Sequence, residues 1–328
     1  MKLDPRRRTL SAGLAALAGL GGLGTAAWAQ EAAVPKLIKI VVPFSPGASN
    51  DLFARALAQR LAALLNTTVI VENKPGAGGS IGAEFVSRAE PDGSVLLFSS
   101  NSFTTNAAMT PKLPYDMNKS FVPVALMAKS AMIFVVASNS PFTSVAKFVA
   151  AARDPKSRLS YGSSGVGGLN HISTELFHSM AGTQAVHIPY KGISGAVLDL
   201  ISGNIQLLIT TPASVGEQIK AGLVKAVAVG STERSKFYPD LPTIAQTVPG
   251  YRAEGWWGVF APGGTPKPMV ERLNAAIRSA NELPEIRKLL SQEGAEPGTY
   301  SPAEFAAYYF DEIAKWKKLV VERNLSTN

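Results

Sequence analysis

The chain has 328 residues, 46% of them hydrophobic and 17% charged, with a formal net charge of +8 and no cysteine. A length beyond about 250–300 residues favours two packed lobes over one core, and the apolar content excludes a disordered chain. The lack of cysteine excludes disulfides, thiolate nucleophiles and zinc–cysteine centres, and basic residues scattered without interleaved aromatics exclude nucleic acid and favour a small anionic partner.

Residues 1–29 read as an export signal. Lys2, Arg6, Arg7 and Arg8 open it, a glycine- and alanine-rich apolar run follows, and Ala27-Trp28-Ala29 fits an A-x-A cleavage site. The twin arginine in "RRRTL" suits the twin-arginine route, with ordinary secretion or a retained anchor as alternatives. Removing the segment takes away four basic residues and Asp4, so +8 becomes +5.

After Pro35, strand-length apolar runs alternate with amphipathic helical stretches. Strand 37–44, helix 50–65 with Asn50 or Asp51 near its N-cap, strand 68–73, a helix ended by Pro91 and Gly93, and strand 94–100 form a first series. Strand 131–138 opens a second, with helices 144–152, 169–181, 193–202 and 213–221 between strands 158–161, 184–190, 205–211 and 224–230. Strand 254–262 and three helices finish the chain. The alternation predicts parallel βαβ units in two α/β lobes. If strands 131–138 and 254–262 both cross between lobes, residues 30–133 plus 251–328 form domain 1 and residues 134–250 form domain 2, with a cleft between them. Ligands of open parallel sheets sit beyond the carboxyl ends of the strands, so the loops that follow strands are the informative ones.

"PFSPGASND" (43–51) places a glycine and small residues before a helix N-terminus, where free amides and the helix dipole favour a carboxylate; the alternative is a plain turn capped by Asp51. "LSYGSSGVGGLNHISTELF" (159–177) repeats the device in the second lobe. It is not a dinucleotide fingerprint, because Asn170 stands where a third glycine is needed, and no Gly-Lys-Ser/Thr makes it a phosphate loop. Gly162-Ser163-Ser164-Gly165-Val166 fails the nucleophile-elbow pattern at its last position. A loop of bare amides and hydroxyls remains, which binds an anion without chemistry.

"KPGAGGSIG" (74–82) reads as a flexible turn opening a helix. Ser144-Val145-Ala146-Lys147 matches S-x-x-K, but no K-T-G partner exists, and Thr143 or Ser144 suffices as a helix cap. His171, Glu175 and His178 share one helix face without forming H-E-x-x-H, so no metal is expected, and His171 is placed at the helix start, towards the cleft or a neighbouring loop. Tyr190 and Lys191 follow a strand, Lys191 offering a cation or simply solvated at a turn. Thr210 and Thr211 end another strand before Pro212 starts a helix. Trp256 and Trp257 either wall the ligand or fill the crossover core.

"VPFSPGASND", "VIVENKPGAGGSIGAEFVSRAEPDG", "LPYD", "YGSSGVGGLNH", "HIPYKG", "LPTIAQTVPGY", "GVFAPGGTPKPMVERLN" and "SPAEFAAYYFDEIAKW" together resemble, in order along the whole mature chain, the Bug family. These are extracytoplasmic receptors of tripartite tricarboxylate transporters. The resemblance implies an α/β, type II periplasmic binding protein fold, two domains joined by crossover strands and closing on a dicarboxylate, an acidic amino acid or an aromatic acid. It implies that main-chain amides and ordered waters hold the carboxylate, from loops 44–51 and 163–168, with loops 99–103, 190–192 and 210–212 completing the pocket. The residues concerned are Phe44, Gly47, Ala48, Ser49, Asp51, Ser100, Asn101, Ser163, Ser164, Gly165, Gly167, Gly168, His171, Tyr190, Lys191, Thr210 and Thr211. A periplasmic monomer without a cofactor, serving integral-membrane transporter subunits, is also implied. Ala48 departs from the family's P-G-G and cannot take a positive φ cheaply. Thr210-Thr211 replaces a frequent Asp-Asn, which favours a dicarboxylate or aromatic acid over an amino acid. The competing function is an exported serine hydrolase with its nucleophile at Ser144 or Ser164, for which the sequence assigns no base.

Overall fold

The computed structural model describes residues 33–325, and the expected export signal lies outside them. In chain order the elements are β1 (Leu37–Val42), α1 (Ser49–Leu65), β2 (Thr68–Asn73), α2 (Ser80–Ser87), β3 (Val95–Ser100), α3 (Ser102–Met109), β4 (Phe121–Ala131) and β5 (Ile133–Ala137). Then come α4 (Val145–Ala152), β6 (Ser160–Ser163), α5 (Leu169–Ala181), β7 (Val186–Pro189), α6 (Ile193–Ile201), β8 (Leu208–Thr210), α7 (Pro212–Lys220) and β9 (Val224–Val229). The chain closes with β10 (Glu254–Pro262), α8 (Lys267–Asn281), α9 (Pro284–Gln292), β11 (Ala295–Pro297) and α10 (Pro302–Glu322). No helix among the described residues is long and apolar enough to cross a membrane.

A six-stranded sheet has the order β11-β4-β10-β3-β1-β2. The strands β8-β5-β9 form a second sheet and β6-β7 a third, and the last two are joined where the Gly162 amide donates to the Leu207 carbonyl at 3.1 Å. Strand β1 runs parallel to β2 and β3, and β6 parallel to β7, as βαβ units require. Antiparallel pairs join these units at β4, β5 and β10: β10 is antiparallel to β3 and β4, and β5 to β8 and β9. These strands flank the point where the chain leaves the large sheet and returns, and a segment that goes out and back pairs with itself antiparallel.

Burial explains the local choices. Ile38, Ile40 and Val42 of β1 face α1 and α8, while Val41 faces a second core containing Val86, Phe103 and Phe305, so the strand is apolar on both faces. Helix α1 buries Phe53, Leu57, Leu61 and Leu65 along one stripe and ends at Asn66 with φ 49°. Trp256 and Trp257 fill cores: Trp256 packs on Phe305 and Tyr308, and Trp257 on Phe53.

The strand expected at 131–138 is a junction. Strand β4 begins ten residues earlier, hidden in the sequence by Pro123 and Lys129, and Met132 separates it from β5. There the Met132 amide donates to the Ala253 carbonyl (3.2 Å), the Gly230 amide to the Met132 carbonyl (2.6 Å), and the Ala253 amide to the Gly230 carbonyl (2.9 Å). Three passages of the chain are tied at one point. A Cβ on Gly230 would stand 2.7 Å from the Ala253 oxygen, so this position requires glycine.

Helix α10 spans both regions. Phe305, Tyr309 and Ile313 pack against the large sheet, and Trp316 and Leu319 join the core of Phe134, Phe148 and Phe177. Between them the buried Glu312 carboxylate accepts from Arg252 (3.0 Å), from Trp316 Nε1 (3.0 Å) and from Lys315.

Candidate functional site

The loop after β1 is built around Asp51. Its buried carboxylate accepts from the Gly47 amide (3.0 Å), Arg55 Nε (3.0 Å) and Asn73 Nδ2 (2.9 Å), and Asn73 also donates to the Phe44 carbonyl (3.1 Å). Burial pushes the Asp51 pKa up, but the hydrogen bonds from Arg55, Asn73 and the Gly47 amide outweigh it and hold the carboxyl below its ordinary value. Asp51 therefore shapes the loop, and the Gly47 amide is committed to it. Ala48 has φ −85°, so the alanine that departs from P-G-G is unstrained, and Gly47 takes the positive φ of 93°. No side chain caps α1. The Ala48 carbonyl accepts from the Asp51 and Leu52 amides, which leaves the amides of Ala48, Ser49 and Asn50 open among the described residues.

The loop after β6 is braced by two histidines. The Gly167 amide donates to His171 Nδ1 at 3.1 Å, which makes His171 a neutral ring with its proton on Nε2. The Ser163 hydroxyl accepts from the Gly165 amide (3.1 Å) and lies 2.7 Å from His187 Nε2. The two imidazoles stack at 4.1 Å, and Tyr161 stacks against His187 at 4.9 Å and lies 6.4 Å from His171. Burial lowers the His171 pKa, and burial followed by repulsion from His171 brings His187 down to about 4. Ser164 Oγ donates to Asn170 Oδ1 (3.0 Å), and Asn170 Nδ2 donates to the Ile209 carbonyl (3.0 Å), binding this loop to the end of β8. The Gly168 amide donates to the Gly165 carbonyl (3.3 Å). Helix α5 likewise has no side-chain cap, so the Leu169 and Asn170 amides face outward from its N-terminus.

The remaining predicted residues divide. Asn101 caps α3 through its carbonyl, and its amide donates to Trp256 (3.2 Å). A Cβ built on Gly255 would lie 3.9 Å from Leu169 and 4.0 Å from Asn101 Oδ1, so the loops after β3 and β6 converge over β10. Ser100 Oγ donates to Ser102 Oγ at 3.5 Å. Tyr190 donates its hydroxyl to Asp199 (2.5 Å) and its amide to the Ser163 carbonyl (3.1 Å). Lys191 is exposed and has no hydrogen bond or ion pair among the described residues. Thr210 is fully buried with an unpartnered hydroxyl, while Thr211 Oγ1 pairs with Ser214 (2.8 Å). No hydrogen bond among the described residues joins loop 44–51 to loop 163–168.

The serines of the hydrolase alternative have other partners. Ser144 accepts from the Lys147 amide and caps α4 (3.2 Å), and Ser164 holds Asn170. Ser163 and His187 do form a hydroxyl–imidazole pair, but Ser163 is fully buried and its oxygen is shared with Gly165. Glu175, from the considered metal face, binds Tyr161 (2.5 Å) and Arg323 (2.7 Å), and His178 Nδ1 contacts Thr183 (2.8 Å). No group of three or more metal-ligating side chains occurs among the described residues.

Residues 53–325 match the family described as the tripartite tricarboxylate transporter family receptor. The chain belongs to that family. This receptor is 35% identical over 324 residues to the UPF0065 protein in the tcbD-tcbE intergenic region of Pseudomonas sp. (strain P51), covering 98% of this chain and 96% of the other. It shares 32% identity with R. palustris Rpa4515, solved with adipate, at a TM-score of 0.70 over 88% of this chain and 98% of that one. A TctC solute-binding protein from Polaromonas, solved without ligand, superposes with a TM-score of 0.80 at 26% identity over 87% and 98% of the two chains. The receptor thus has the two-domain α/β fold of the solute-binding proteins, and it is a binding protein rather than an enzyme.

Sequence reading missed four contributors to the site. Arg55 was legible, four residues after Asp51 on a helix. Asn170 lies within the quoted loop and helix start but was read only as the place of a missing third glycine, whereas Asn73 and Glu293 left no signal, because each acts on a loop that only the fold brings near. Glu293 lies 244 residues from Ser49, whose hydroxyl donates to it at 2.7 Å.

Proposed function

We propose that the receptor captures a small organic carboxylate in the periplasm and delivers it to the integral-membrane subunits of a tripartite tricarboxylate-type transporter. Domain 1 (30–133 plus 251–328) and domain 2 (134–250) close on the ligand, and residues 1–29 are the export signal removed from the mature protein. The observation that carries this reading is the pair of uncapped helix N-termini, Ala48–Asn50 and Leu169–Asn170, each following a sheet strand and each with open amides. Hydrogen bonds to a charged group contribute roughly 1.5–3 kcal/mol each, so four or five reach about −8 kcal/mol, the micromolar range, after the costs of association. The adipate bound to Rpa4515 supports the carboxylate class.

Native mass spectrometry of the mature protein, followed by calorimetry across a panel of dicarboxylates, acidic amino acids and aromatic acids, tests the reading. A co-purified organic acid, or micromolar binding of one panel member, is the expected result. An empty protein with no heat and no thermal shift across the panel would remove it.

A further inference from the structure

Glu293 occupies a position that its sequence neighbours do not explain. It caps the C-terminal end of α9, is half-buried, and accepts from Ser49 Oγ at 2.7 Å, at the first residue of α1. The Ser130 hydroxyl lies 3.0 Å from both the Glu293 and the Gly294 carbonyls, fixing the turn to the end of β4. Gly294 has φ +61°, and a Cβ there would be 2.9 Å from the Pro212 ring at the start of α7. The 293–294 turn is therefore held between loop 44–51 and loop 210–212, which belong to the two regions that border the ligand.

The charges around this turn are unequal. Asp51 is neutralised by Arg55 at 2.9 Å, whereas among the described residues no ion pair takes up the charge of Glu293 and its second carboxylate oxygen has no hydrogen-bond partner. A site that attracts an anion through open amides thus carries one uncompensated negative group at its edge. That arrangement weakens binding of any ligand that places a second ionised carboxylate there, and rewards a ligand that presents a donor.

Resting on the receptor reading above, we propose that Glu293 is a specificity-determining residue. It excludes a second ionised group from its side of the cleft, and it accepts from a hydroxyl or protonated amine on the ligand close to the bound carboxylate. The preferred substrate class is a hydroxy or amino acid over the plain acid of the same skeleton.

The test is calorimetry on the mature protein and on Glu293→Gln, with two isosteric sets: succinate, malate and aspartate; benzoate, 2-hydroxybenzoate and 2-aminobenzoate. In the set that binds, the wild type should favour a donor-bearing member by about tenfold, and Glu293→Gln should remove most of that ratio. Glu293→Asp keeps the charge, withdraws the oxygens and should give an intermediate ratio. A mere complement to the dipole of α1 would alter the melting temperature and leave the ratio alone, so a ratio within twofold of wild type in a folded Glu293→Gln overturns the inference while the receptor reading stands. Failure of the wild type to bind any member of either set would overturn the inference, while the receptor reading stands or falls on the native mass spectrometry and the full panel above.

Discussion

Gly167 and Lys191 separate two ways in which the proposed site would hold an anion. Gly167 has φ +78°, and its amide is fixed on His171 Nδ1, so it sets the path of the loop that leads to the open amides of α5. Lys191 is exposed and unengaged, and a mobile surface ammonium contributes little to a desolvated site. Gly167→Val should therefore raise the ligand Kd by tenfold or more, and Lys191→Gln by less than about threefold, as calorimetry would show. The opposite ranking would replace amide recognition with a cation-centred site. Phe44 through Asp51 were legible as a candidate binding loop from small residues before an amphipathic helix. Which of their amides stay open was not, because that depends on Asp51 turning back onto Gly47 and on Asn73 arriving from β2.

Among the elements, the junction of β4, β5, β9 and β10 decides how the chain passes between the sheets. Its three hydrogen bonds among Met132, Gly230 and Ala253 leave no room for a side chain at Gly230. Gly230→Ala should cost about 1–3 kcal/mol in urea unfolding, through displacement of a main-chain oxygen that no rotamer change relieves. An unchanged midpoint would mean that the junction yields easily. The same region is where reading the sequence fell short. Strand β4 carries the apolar residues Val124–Ala128, but Pro123 before them and Lys129 after them break the strand signal that revealed β1, β3 and β10, and its eleven residues are placed by their sheet neighbours.

At the scale of the whole molecule, all three histidines of the chain gather around Tyr161. Glu175 and Arg323 face them, the latter from the end of α10. Burial brings both His178 and His187 down to about 4, and it also lowers His171. Below pH 6.5 the unfolded chain binds protons that the folded chain refuses, so stability falls from about pH 6.5 and continues to fall to about pH 4. At about 1.4 kcal/mol per pH unit, His178 alone accounts for roughly 3 kcal/mol. Urea midpoints measured at pH 7, 5.5 and 4.5 should decline, and His178→Gln should flatten the decline. A wild-type midpoint independent of pH over this range would contradict the burial of these rings.

The class of the protein is written in its residues: an α/β chain whose helices start at glycine- and serine-rich loops, with the order of its motifs marking the receptor family. Those features are local, since hydrophobic period, capping residues and turn glycines act within a few positions of one another. Which amides remain open, where the chain crosses between sheets, and that Glu293 stands beside Ser49 all follow from folding. Each of these is a contact between segments far apart in the chain, and nothing in either segment alone records its partner.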